Sequence, residues 1–106
     1  MHTVILALLL LLFTTPLMAD TVHIATAANF KSTAEKINAL FEARSTHKTT
    51  LSSASTGVIF SQITHGAPFD IFFAADKTSI SKLQAGNYGA SEGNEGFCYA
   101  LGTLVL

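Results

Sequence analysis

Residues Thr21–Phe30 read TVHIATAANF, and this stretch decides the fold. Val22 and Ile24 alternate with Thr21 and His23 ahead of a run of small residues, which predicts a β-strand over Thr21–Ala28. From Phe30 the period changes. Phe30, Ala34, Ile37, Leu40 and Phe41 recur at steps of three or four, the spacing of one helix face. Two starts fit that helix. Asn29 can be its N-cap, or Ser32 and Glu35 can form an S-x-x-E capping box. The helical pattern fades near Ala43–Thr46.

Working outward, Lys48–Ser53 is rich in Thr and Ser around Leu51 and predicts a second strand. Ser55-Thr56-Gly57 opens a second helix carrying Ile59, Phe60 and Ile63; Gly66 suits its C′ position and Pro68 blocks continuation. Phe69–Ala75 (FDIFFAA) is nearly continuous apolar sequence, as expected of a strand buried on both faces. Asp76 is a good N-cap for a short helix with Ile80 and Leu83, which Gly86 stops. Asn87–Gly96 reads as loop and Phe97–Leu106 (FCYALGTLVL) as a last strand. Strands alternating with helices imply parallel crossover units and an α/β sheet. The reading ends on an apolar strand, so an incomplete design is expected, continued elsewhere.

The composition sets bounds on function. Of 106 residues, 49% are hydrophobic and 12% charged. Residues 1–19 hold 14 of the 52 apolar residues, and all 13 charged side chains lie at or after Asp20. Val4–Phe13 is an unbroken apolar run, followed by Thr14, Thr15 and Pro16, with Ala19 just before Asp20. That predicts residues 1–19 as a cleaved secretory signal peptide, too short for a comfortable membrane span. Without a cysteine at the cleavage point, a lipoprotein anchor is disfavoured. Residues 20–106 then form one small domain. A net charge of −1 with six basic residues argues against nucleic acid as a partner. One cysteine excludes a disulfide framework, a CxxC redox pair and a Cys-based zinc site.

In open parallel sheets, ligands bind beyond the carboxyl ends of the strands. Two turns occupy that position: Ala27-Ala28-Asn29 after the first strand, and Ala54-Ser55-Thr56-Gly57 after the second. Each offers backbone N–H groups at a helix N-terminus and a neutral side-chain donor, the Asn29 amide or the Ser55 hydroxyl. Small residues beside them let a ligand approach the main chain. A tetrahedral dianion has many acceptor oxygens and no donors, so neutral donors suit it and a buried Lys or Arg is unnecessary. Ordinary helix capping is the competing account of both turns.

Other candidates are weaker. His2, His23, His47 and His65 have no close metal spacing, so no metal-ligating set is expected. Asp70 and Asp76 read as a turn residue at a strand start and a helix cap rather than an acid/base pair. Ser52, Ser53 and Ser55 lack a G-x-S-x-G elbow, and Ser55-Thr56-Gly57 lacks the lysine of a phosphate-binding P-loop. No base in triad order accompanies these serines, so a serine hydrolase is not expected. Cys98 within an apolar stretch reads as a buried core residue.

Four stretches, in this order and spacing, resemble the periplasmic molybdate-binding proteins of bacterial importers. They are Ala25–Phe30 (ATAANF), Ser55–Gly57 continuing to Ile63, Gly66–Asp76 (GAPFDIFFAAD) and Tyr99–Leu106 (YALGTLVL). The resemblance covers essentially all of residues 21–106, with Gly66–Asp76 its most specific element. It implies a type II periplasmic binding protein, two α/β lobes with an oxyanion between them. Residues 20–106 would be part of the first lobe, ending at the strand that leads to the hinge, with the second lobe missing. The implied function is capture of molybdate or tungstate in the periplasm and delivery to the membrane permease of an ABC transporter, as a monomer and with no cofactor. The implied ligand residues are Asn29, with the Ala28 main chain, and Ser55. Two alternatives remain: a protein of the same fold for another anion (sulfate, phosphate or an organic anion), and a non-functional fragment.

Overall fold

The computed structural model describes residues 20–89, 96–103 and 105. The expected signal peptide, residues 1–19, lies outside them. The elements run β1 (Thr21–Ala27), a 3-10 turn (Ala28–Phe30), α1 (Lys31–Arg44), β2 (Lys48–Ala54), α2 (Thr56–Thr64), β3 (Ile71–Phe73) and α3 (Lys77–Ala85). The strands form one parallel sheet in the order β2-β1-β3. The expected α/β architecture with a parallel sheet is therefore present.

The core sits on β1. Ile24, Ala25, Thr26 and Ala27 are 5%, 0%, 0% and 2% exposed. Successive strand residues face opposite sides, so both faces of β1 are covered. α1 turns Ala34 and Asn38, one helical turn apart, inward and packs against β2 and β1. α2 packs against the same two strands through buried Ile59, and α3 adds Leu83 against α2. Burying an Ile or Leu side chain in this way stabilises by about 1.5–3 kcal/mol.

Several local expectations hold for the expected reasons. Ser55 caps α2 and Asp76 caps α3, each accepting from the N–H three residues on. α2 ends in a Schellman motif. Gly66, at φ 95°, is the left-handed C′ residue; its N–H donates to the Ile63 carbonyl, and the Ala67 N–H donates to the Gln62 carbonyl. Asp70 brackets the start of β3, accepting the His23 N–H on its carboxylate and donating its own N–H to the His23 carbonyl.

Others are corrected. Neither Asn29 nor Ser32 caps α1: the helix grows from the 3-10 turn, with Phe30 at its N-cap and no capping side chain. Ile37, Leu40 and Phe41 stand exposed, because the line pressed on the sheet runs through Ala34 and Asn38. α3 stops at Gly86 as expected, but Gly86 is its C-cap at φ −87°, and the left-handed position is taken by Asn87 at φ 58°. Gly86 has its own reason: a side-chain carbon there would lie 2.8 Å from the Tyr88 ring. β3 is short and not doubly buried. Among the described residues it stands at an edge of the sheet, and Ile71 is 43% exposed. The described residues of Phe97–Leu106 form no strand. Phe97 and Leu101 are exposed, and so is Cys98, which corrects its reading as a core residue. No described strand pairs with this segment; it is held instead through Tyr99, as described below.

Candidate functional site

The register assembles the site. Ala27 of β1 lies beside Ala54 of β2, so the chain leaves both strands at the same level. Ala28-Asn29 and Ser55-Thr56 are therefore neighbours at the carboxyl edge of the sheet. On the other side of β1, Thr26 lies beside Phe73, and the Ala74-Ala75 exit of β3 continues to the same edge. The three predicted ligand residues, Asn29, Ala28 and Ser55, come together there, and all three are exposed.

Ser55 has an extended backbone (φ −61°, ψ 150°) and its Oγ accepts the Val58 N–H at 3.4 Å. Capping uses a lone pair and leaves the hydroxyl proton free to donate. The first N–H groups of α2 find no partner within the helix, so Thr56 and Gly57 present theirs at its positive end. One oxyanion could therefore receive an O–H and N–H donors from this turn, and the Asn29 amide from the next. Asp76 lies past β3, but its carboxylate accepts the Ser79 N–H at 2.7 Å. That hydrogen bond holds its pKa below the usual carboxylate range, with Lys82 adding a smaller effect.

Two supports of these turns went unseen in the sequence. The Thr56 hydroxyl does not cap its own helix; it accepts the Ala75 N–H at 3.0 Å, tying the start of α2 to the exit of β3. The other is aromatic. Phe30, Phe73 and Tyr99 pack with ring centroids 5.0–5.4 Å apart, in tilted and edge-on pairs. Such pairs contribute about 0.5–1.5 kcal/mol beyond the area they bury. The Tyr99 hydroxyl donates to the Ala74 carbonyl at 3.4 Å, and partial burial pushes its pKa up. Local periodicity could not reveal either support, because each joins residues far apart in the chain.

The weaker candidates stay apart from this edge. His23 Nδ1 meets the Thr50 hydroxyl at 2.8 Å, near the amino ends of the strands. His65 closes α2 with Nδ1 at 2.7 Å from the Ser61 carbonyl. Among the described residues, no three His, Cys, Asp or Glu side chains gather as a metal site, and no helix is long and apolar enough to cross a membrane.

Residues 22–106 match the family model of bacterial extracellular solute-binding proteins. The chain belongs to this family. It is 42% identical over 88 residues to the molybdate-binding protein ModA of Azotobacter vinelandii, covering 83% of this chain and 34% of that protein. It is 41% identical over 91 residues to ModA of Rhodobacter capsulatus, covering 86% and 35%. The chain thus spans about a third of the length of these relatives. The solved structure of the periplasmic molybdate-binding protein of Azotobacter vinelandii superposes with a TM-score of 0.61 at 36% identity, over 62% of this chain and 29% of that one. A Clostridium difficile substrate-binding domain, attributed to a molybdenum ABC transporter, superposes with a TM-score of 0.62 at 26% identity, over 64% and 30%. The expected family and fold both hold.

Proposed function

We propose that this chain is the molybdate- or tungstate-binding component of an ABC importer, a carrier and not an enzyme. The single observation that carries this reading is the placement of two neutral-donor turns side by side at the carboxyl edge, in a chain 42% identical to a molybdate-binding protein. Asn29, the Ala28 main chain and Ser55 hold the anion, and the membrane permease of the transporter receives it. The protein works in the periplasm, exported by residues 1–19; the periplasmic description of the Azotobacter relative supports that location.

Recognition by neutral donors follows from the chemistry of the ligand. A tetrahedral dianion accepts hydrogen bonds on every oxygen. N–H and O–H groups fixed before it arrives replace its water without reorganising, and hydrogen bonds to a charged group contribute about 1.5–3 kcal/mol each. Such donors do not by themselves separate molybdate from sulfate, so size is the remaining discriminator on this part of the site. Calorimetric titration of the full chain with molybdate, tungstate, sulfate and phosphate tests the reading. Molybdate and tungstate are expected to bind in preference to the smaller anions. A chain that prefers sulfate or phosphate would be a carrier for another anion, and a chain that binds none of the four would overturn the reading.

A further inference from the structure

The donor turns stand at the ends of different strands, and β3 supplies neither of them, yet both are tied to its exit. Phe73 holds Phe30, the residue after Asn29. The Ala75 N–H donates to Thr56 Oγ1, beside Ser55. The strand order is β2-β1-β3, so the Thr56–Ala75 bond runs from one outer strand's exit to the other, across the end of β1. Two adjacent interstrand spacings amount to roughly 9–10 Å. Among the described residues, sheet pairing joins the end of β2 to β1 alone. The cap bond on Ser55 is long at 3.4 Å, past the usual range for N–H···O bonds, and so fixes its turn weakly.

We propose that Thr56 is a positioning residue for anion binding: by accepting the Ala75 N–H it clasps the start of α2 to the exit of β3 and sets the Ser55 hydroxyl over the end of β1. The inference rests on the reading of Asn29 and Ser55 as anion ligands and adds what holds them in register. The Thr56 side chain need not touch the ligand; it acts through the position of the turn. The Phe30–Phe73–Tyr99 cluster serves the Asn29 turn in the same way, so the Phe73-Ala74-Ala75 segment is the common support of both turns.

The test is titration of the full chain with sodium molybdate, comparing wild type, Thr56→Val, Thr56→Ser, Ser55→Ala and the Ser55→Ala/Thr56→Val pair. Thr56→Val keeps the shape and removes the acceptor. It is expected to weaken binding about two- to tenfold, the range for one hydrogen bond, and Thr56→Ser to restore it. Because Thr56 acts through Ser55, Thr56→Val should cost almost nothing further in the Ser55→Ala background, a coupling that a general loss of stability would not produce. Wild-type affinity in a Thr56→Val chain, or independent losses in the double variant, would overturn the inference. A measurement without variants guards against misfolding: the Ala75 amide resonance of the wild-type chain should move as molybdate is added, and an unmoved Ala75 beside a shifting Ser55 would also overturn it. If the wild-type chain binds no molybdate, the ligand reading itself fails, and this inference falls with it before any variant is compared.

Discussion

The two donor turns do the same work with opposite means. The Ser55 turn is held by hydrogen bonds: chiefly the Thr56–Ala75 clasp, with a long cap bond from the Val58 N–H adding less. The Asn29 turn has no capping side chain and is held by packing, through the Phe30 ring against Phe73 and Tyr99. The consequence is a division of labour. In the proposed site Ser55 would serve structure and ligand together, whereas Asn29 makes no capping bond and would be left to a ligand. An exposed amide beside an anchored aromatic is easily taken for an ordinary cap when only the sequence is in view.

That contrast can be broken most severely at Phe30. Removing a buried phenylalanine costs about 3–5 kcal/mol. Phe30 is only half-buried, so Phe30→Ala is expected to lower stability by about 2–4 kcal/mol, measured by urea denaturation. A loss below about 1 kcal/mol would mean that packing does not hold the Asn29 turn. Next come the proposed ligand residues. Asn29→Ala and Ser55→Ala are each expected to weaken molybdate binding by about 1.5–3 kcal/mol, read by calorimetry; unchanged affinity in both would remove them from the site. The same two variants separate in stability. Ser55→Ala loses a cap and should cost about 0.5–2 kcal/mol, while Asn29→Ala should be nearly neutral. Equal losses would erase the difference between the turns.

These differences follow what the sequence made legible. The strand-helix alternation, the caps at Ser55 and Asp76 and the glycine at Gly66 were readable, because each rests on neighbours within a few residues. What failed depends on tertiary partners. FDIFFAA looked like the doubly buried strand, yet the strand covered on both faces is β1. Position in the sheet decided this: β1 is central and β3 is an edge. The missed start of α1 has a similar cause, since Phe30 packs against residues 43 and 69 positions away, which replaces a local cap. Of the candidate site, the two turns carrying Asn29, Ala28 and Ser55 were legible, and the supports that tie them together, Thr56 and the aromatic cluster, were not.

The smallest expected effect concerns acid. Asp76 accepts the Ser79 N–H and Glu42 accepts the backbone and hydroxyl of Thr49, and both carboxyls titrate below their ordinary values for that reason. A folded pKa below the unfolded one contributes stability that is complete above the unfolded value and is lost as pH falls through the folded value. Thermal stability should therefore decline only below about pH 4. Asp76→Asn, which keeps a capping oxygen, should flatten part of that decline. An unchanged acid limb in Asp76→Asn would remove Asp76 from this account.

The most direct test of the central claim, that one oxyanion is held between these two turns, is an amide-resolved NMR titration of the full chain with molybdate. The account predicts that Asn29 and Ser55–Gly57 resonances shift together along one binding curve, while His23, Thr50 and Asp70, toward the amino ends of the strands, stay still. Shifts concentrated around His23 and Asp70, or two turns that titrate with different midpoints, would contradict it.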